Sequence, residues 1–403
     1  MTGIVVIGAG QAGASLVSRL RSEGYEGALT LIGEEPVPPY QRPPLSKGYL
    51  LGETTRERLF LRPESYYADQ NIALHLGQRV TSIDREARTV TVGDRVIAYD
   101  QLALTTGSRP RPLPERIGGD LKGVFVVRNL ADIDALAPAA KDGARALIVG
   151  GGYIGLEAAA VATKLGVNVT LVEMAERILQ RVAARETSDY FRTLHQQHGV
   201  DIRESVGLDH LIEQDGRVTG ARLTDGSEIA VDLVIVGVGI TPSTWLAEMA
   251  GLEIDNGIAV DAQGRSSDPA IWAAGDCASF PHKGDRVRLE SVQNAIDQAE
   301  CVAANMLGAG QDYAPQPWFW SDQYDVKLQI AGLNTGYDRI VTRQGEGQTV
   351  SFWYYCGDEL RAVDAMNAPR AYMVGKRLIE AGKSPDPAAV ADVQTDLKTL
   401  LRI

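Results

Sequence analysis

Apolar and polar positions along this chain alternate between two kinds of pattern, and their order is informative. Residues 3–34, GIVVIGAGQAGASLVSRLRSEGYEGALTLIGE, open with a β-branched run at Ile4–Ile7 and a glycine turn. An amphipathic helical stretch follows, then a second apolar run that ends in acid. Such a sequence predicts a complete strand–helix–strand unit. The pattern returns at residues 145–173, RALIVGGGYIGLEAAAVATKLGVNVTLVE, with the same glycine spacing. Towards the C-terminus the period becomes two. Val326 to Ile330 and Thr349 to Tyr355 read as antiparallel strands, and helical segments begin at about Ala371. In Trp318-Phe319-Trp320-Ser321-Asp322, residues two apart share a face, so Trp318 and Trp320 point one way and Phe319 the other.

The glycines carry the first candidate chemistry. Gly8 permits a sharp turn, Gly10 lets the backbone approach a pyrophosphate, and Gly13 lets the helix pack closely on the strand. The helix N-terminus then receives the phosphates. Glu34, with Glu35 as neighbour and rival, stands where a carboxylate accepts hydrogen bonds from ribose hydroxyls. In the second copy Gly150, Gly152 and Gly155 take the same places, Ile154 opens the helix, and Glu173 closes the second strand. One such turn is weak evidence of a dinucleotide site; two, each with strand, helix and terminal acid in position, are strong. A carboxylate at Glu173 favours the 2′-hydroxyl of NADH over the 2′-phosphate of NADPH. Arg177, four residues on, is the one nearby cation that points the other way.

Composition narrows the picture. A chain of 403 residues with 44% hydrophobic and 23% charged residues is expected to divide into two or three domains. A formal charge of −12 argues against a general nucleic-acid binder. No run of 18 apolar residues occurs, so no transmembrane helix is expected, and the apolar start lacks the basic segment of a signal peptide. The three cysteines, Cys277, Cys301 and Cys356, have no metal-ligand spacing. No metal site, a reducing compartment and a cytoplasmic location are expected.

Two dinucleotide folds in one chain suggest one dinucleotide held and one exchanged. Together with Pro43-Pro44-Leu45-Ser46-Lys47, Thr105-Thr106-Gly107, Gly237 to Pro242 and Ile271 to Cys277, they make the chain resemble the FAD- and NADH-dependent ferredoxin reductases of cytochrome P450 and ring-hydroxylating systems. The resemblance spans essentially the whole length. It implies an α/β fold with two Rossmann-like dinucleotide-binding domains, glutathione-reductase-like, plus an α+β C-terminal domain. The FAD domain is expected at 1–112 and 246–325, the NADH domain at 113–245 and the C-terminal domain at 326–403. Tightly bound, non-covalent FAD, NADH and a [2Fe–2S] ferredoxin are the implied cofactors and partner, with an oxygenase beyond.

The resemblance also assigns residues. Lys47 sits beside the flavin in that family and pairs with a glutamate, here Glu157; Trp320 lies near the flavin edge. FAD contacts carry over to Ala12, Glu34, Arg42, Pro43, Lys47, Val80, Thr106, Gly107, Arg128, Gly275, Asp276 and Val292, and Gly239 marks the exit from the NADH domain. Thr105 replaces the family's usual alanine. The first 276 residues contain no cysteine, which removes dithiol relay chemistry. An NADH oxidase or dehydrogenase, a rubredoxin reductase, and a non-catalytic flavoprotein resembling apoptosis-inducing factor are the alternatives. Arg286, Arg288, Lys327, Arg339 and Arg343 are candidates for a basic ferredoxin-docking surface.

Overall fold

The computed structural model describes residues 3–402, which group into two compact units. The first combines the chain up to Arg42 with Thr55–Arg109 and Ile240–Pro315. The second combines Pro43–Thr54 with Pro110–Gly239 and everything from Gln316 onward.

The first unit is organised by a five-stranded parallel sheet in the order Ile271–Ala273, Gln101–Leu104, Ile4–Ile7, Leu29–Ile32, Ile72–His75. Ile4–Ile7 lies at its centre, so both its faces are covered and the run is apolar without alternation. Val6 packs with Leu16 and Leu20 of helix Gln11–Ser22 and with Val302 of helix Val292–Met306. On the opposite face Val5 and Ile7 join Val90 and Val92, from a three-stranded antiparallel sheet over residues 80–98.

The second unit repeats this plan. Its parallel sheet runs Asp201–Glu204, Asn168–Glu173, Arg145–Val149, Leu233–Val236, Val124–Val126, with helix Tyr153–Lys164 following the central strand. The same unit holds an antiparallel sheet ordered Trp318–Gln323, Val326–Gly332, Glu359–Met366, Val350–Cys356, Arg339–Gln344. Helix Pro369–Glu380 packs Val374 and Leu378 on the sheet residues Trp353 and Val363. The strands expected at Val326 and Thr349 are present within two residues. The helix starts at Pro369 because proline suits a first helical position, where no amide hydrogen bond is lost.

Among the described residues, no helix is long and apolar enough to cross a membrane.

Candidate functional site

The two glycine turns are near copies in space. Gly8 and Gly150 have φ of +112° and +107°, and a Cβ on either would meet a carbonyl oxygen of the returning strand, Thr105 at 2.2 Å or Gly237 at 2.5 Å. A Cβ on Gly13 or Gly155 would stand 2.0 or 2.1 Å from the carbonyl oxygen of Gly8 or Gly150. The chain itself therefore demands glycine at those four positions. Gly10 and Gly152 are different: each has ordinary backbone angles, and a Cβ there would meet nothing within 4 Å. Glycine at these two positions fits an external group approaching the helix N-terminus, where backbone amides favour phosphate.

In the first unit a second helix N-terminus joins this cradle. A Cβ on Gly275 would touch the methyl groups of Ala12 at 3.1 Å and Ala295 at 3.8 Å, so helices Gln11–Ser22 and Val292–Met306 converge on it. Ser291 caps the second helix by accepting from the Asn294 amide, which places Val292 in its first turn. Gln298 accepts from the Gly275 amide, and Asp276 accepts from Ser108 Oγ at 2.7 Å. Thr105, the departure from the family's alanine, donates its hydroxyl to Gly8 O at 2.8 Å and so ties the returning strand to the turn. Thr106 Oγ1 donates to Ser243 O, and Gly107 turns the chain with φ +66°. Two helix N-termini, open glycine positions and an aspartate fit a dinucleotide such as FAD.

The acids at the end of the second strand divide their work. Glu35 is engaged by Arg42 at 2.6 Å and Tyr40 OH at 2.5 Å, and the Arg42 guanidinium lies over the Tyr40 ring. Glu34 is the more open of the two, meeting Arg109 at 3.1 Å and Arg79 at 3.6 Å. Val80 is 3% exposed within the core, so its side chain packs inward and is not open to a ligand. Pro43 begins the turn leading to Lys47 and belongs to the second unit.

Around the second glycine turn, Glu173 accepts from the Gly151 amide at 2.7 Å and the Ala175 amide at 2.8 Å. Each carboxylate oxygen keeps a lone pair for a ribose hydroxyl. Arg177, the cation that would favour a 2′-phosphate, is engaged elsewhere: its guanidinium donates to the carbonyls of Ala183 and Ala184 and to Ser188 Oγ, so it braces its own loop. Ile154 is 41% exposed at the start of the helix, an apolar surface beside the open Gly152. Gly239 has φ +106°, with Arg181 nearby. Arg128 precedes the capped helix Leu130–Leu136 and donates its amide to Asp132.

The Pro-Pro-Leu-Ser-Lys segment forms helical turns over Leu45–Tyr49, interrupted at Lys47 (φ −133°, ψ −114°). Lys47 Nζ lies 3.2 Å from Glu157 Oε1 and 3.5 Å from Asp322 Oδ2. Glu157, on helix Tyr153–Lys164, is buried, and burial pushes its carboxyl above the usual range. The Lys47 charge and a 2.7 Å hydrogen bond from Ser321 Oγ oppose that shift; Asp322 adds to it. Trp320 stacks obliquely on Trp318 at 5.4 Å, while Phe319 turns the other way to meet Tyr153 at 5.1 Å. The sequence reading missed Ser321 and Gln323, although period two puts both on the Phe319 face, where polar residues under an aromatic strand are the available signal.

The proposed docking cations are largely committed elsewhere. Arg343 donates to the carbonyls of Val390, Asp392, Val393 and Thr395, Arg286 to those of Val260 and Ser279, and Arg339 to that of Gly357. Arg288 pairs with Glu290 and reaches Asp276 O.

Residues 2–299 match the family described as pyridine nucleotide-disulphide oxidoreductase, and residues 318–401 match the reductase C-terminal family. The chain belongs to the pyridine nucleotide-disulphide oxidoreductases. It is 43% identical to a rhodocoxin reductase of Rhodococcus erythropolis, over 98% of this chain and 93% of that one. It is 45% identical to a ferredoxin–NAD(P)+ reductase of a Sphingomonas species, over 99% and 97%. The crystal structure of a covalent putidaredoxin reductase–putidaredoxin complex matches with a TM-score of 0.96 at 39% identity, covering 100% of this chain and 98% of that one. The family name mentions disulphide, yet all three cysteines here are free. Cys277 is fully buried, and burial pushes its thiol up, away from reactivity.

Proposed function

We propose that this chain is a cytoplasmic, FAD-containing reductase that takes electrons from NADH and delivers them singly to a [2Fe–2S] ferredoxin serving a cytochrome P450 or ring-hydroxylating oxygenase. The observation that carries the reading is the pair of matching glycine turns in a chain whose three cysteines are all free. Two dinucleotides fit, and electrons must leave without a dithiol. The flavin supplies the chemistry: it accepts a hydride as two electrons and releases them one at a time.

The protein supplies binding and orientation. Gly8, Gly10, Ala12, Gly13, Glu34, Arg42, Pro43, Val80, Thr106, Gly107, Arg128, Gly275, Asp276 and Val292 hold FAD. Gly150, Gly152, Ile154, Gly155, Glu173 and Gly239 hold NADH. The Glu173 carboxylate disfavours a 2′-phosphate, and the bracing of Arg177 within its own loop supports that preference. Lys47, Glu157 and Trp320 act in the electron-transfer step, Lys47 and Glu157 by fixing reactive geometry. We propose three domains, at 1–112 with 246–325, 113–245 and 326–403.

The test is anaerobic. The purified yellow protein is mixed with one equivalent of NADH and then with oxidised [2Fe–2S] ferredoxin, while flavin and iron–sulfur absorbance are followed. Rapid bleaching, then recovery as the ferredoxin is reduced, is expected. Bleaching reversed only by oxygen, a quinone or rubredoxin would replace this reading with the oxidase or rubredoxin-reductase one.

A further inference from the structure

Behind Glu157 the second unit contains an unbroken row of polar side chains that the proposed reaction leaves unused. Tyr324 OH lies 3.1 Å from His195 Nδ1, and His195 Nε2 lies 2.8 Å from Gln323 Oε1. Gln323 Nε2 lies 3.1 Å from Ser321 Oγ, and Ser321 Oγ lies 2.7 Å from Glu157 Oε1. Lys47 closes the row at 3.2 Å. His195, Ser321 and Gln323 are wholly buried.

The direction of the row follows from counting protons. An ionised Glu157 only accepts, so the single Ser321 proton points at it. Ser321 then has only lone pairs for Gln323, which must present its NH2 there and its carbonyl oxygen to His195. That oxygen accepts, so His195 carries its proton on Nε2. Nδ1 is left to accept from Tyr324. Burial pushes the Tyr324 phenol up to about 12, against a hydrogen bond with Thr163, and the neutral phenol keeps its proton to donate to Nδ1. Every bond thus points toward Glu157, and bonds aligned in this way polarise one another.

The backbone carries a second, independent sign. Tyr324 turns the hairpin between strands Trp318–Gln323 and Val326–Gly332 with φ +56°, a region that bulky residues avoid. Glycine or asparagine serves such turns at lower cost. Here the ring stacks on His198 at 3.6 Å with 12° between planes, while its hydroxyl reaches His195. Strain retained where a side chain is held on both sides points to a function for that side chain.

We propose that Tyr324, His195, Gln323 and Ser321 form an oriented chain of hydrogen-bond donors that holds Glu157 as an aligned carboxylate facing Lys47. These are positioning residues. The chain orients and does not conduct, because the Gln323 amide passes no proton without giving up its amide form. The charged groups facing Glu157 are Lys47 and Asp322, and the titratable group facing His195, apart from Tyr324, is His198. The inference rests on the reading that the Lys47–Glu157 pair serves electron transfer, but its test reads the side chains themselves.

In the flavin-loaded protein, the infrared carboxyl band of Glu157, assigned by its loss in Glu157→Gln, is followed against pH. Ser321→Ala is expected to raise the titration midpoint of Glu157 by about one pH unit, the scale of a hydrogen bond to a charged group. Gln323→Met raises it by less. Nitrogen NMR of the unmodified protein is expected to show His195 protonated on Nε2, and Tyr324→Phe to let His195 take its second proton at higher pH. Stably folded variants with an unmoved Glu157 midpoint, or a wild-type His195 protonated on Nδ1, overturn the proposal. A protein that fails to reduce ferredoxin yet shows these shifts loses the proposed function and keeps the donor chain.

Discussion

Single residues divide into those the fold requires and those only a ligand requires. Gly13→Ala drives a methyl group into Gly8 O and is expected to cost at least ~1–3 kcal/mol of stability, read by thermal unfolding. Gly10→Ala meets no protein atom, so stability should hold within ~0.5 kcal/mol while FAD retention falls about tenfold or more in a dilution assay. The same contrast separates Gly155 from Gly152, with NADH affinity as the readout. Glu173→Gln removes the charge that repels a 2′-phosphate, and the ratio of kcat/KM for NADH over NADPH should drop by roughly tenfold or more. Lys47→Ala leaves Glu157 buried without its cation and should slow flavin reduction in stopped flow. The glycine positions were legible in the sequence because backbone geometry leaves a fixed spacing. The bracing of Arg177 was not, because only the folded loop shows which carbonyls lie within its reach.

Secondary-structure elements carry two buried titratable groups whose effects oppose each other. Asp364, on strand Glu359–Met366, accepts from Tyr354 OH and from Thr187 Oγ1 at 2.7 Å, and Tyr354 OH in turn accepts from the Ala184 amide. Burial pushes its carboxyl up to about 6, against bonds from Thr187 and Tyr354 that pull the other way. The folded protein therefore binds this proton more tightly than the unfolded chain, and stability from Asp364 is lost as pH rises from about 4 to about 6. His195, on helix Arg185–Gln197, is held neutral by burial, its value lowered to about 4. Its contribution is lost as pH falls from 6.5 to about 4. Each effect is worth roughly 3 kcal/mol, so these two contributions nearly cancel across this window. Asp364→Asn should expose the histidine, with Tm falling on acidification; His195→Gln should expose the aspartate, with Tm rising. Neither strand Glu359–Met366 nor helix Arg185–Gln197 was among the elements read from periodicity. The pairings were not legible either, since a polar residue on an apolar strand does not reveal which distant helix supplies its partner.

At the scale of the whole molecule, the duplicated α/β plan, the antiparallel C-terminal sheet and the family were all visible in the sequence, because long apolar runs and turn glycines are local. The docking surface was not, because charge counted along a chain says nothing about which arginines are consumed internally. Arg343→Gln should cost at least ~1 kcal/mol of stability through four carbonyls left without their donor and should leave the apparent KM for ferredoxin unchanged. The sealed environment of Cys277 has a further consequence. Peroxides and alkylating agents act on exposed thiolates; of the two partly exposed cysteines, Cys301 has its thiol pushed up by burial as well, and Cys356 closes strand Val350–Cys356 of the C-terminal sheet. A protein of this design should tolerate the oxidants that inactivate thiol-dependent reductases. Turnover after exposure to hydrogen peroxide or iodoacetamide should match that of the untreated enzyme.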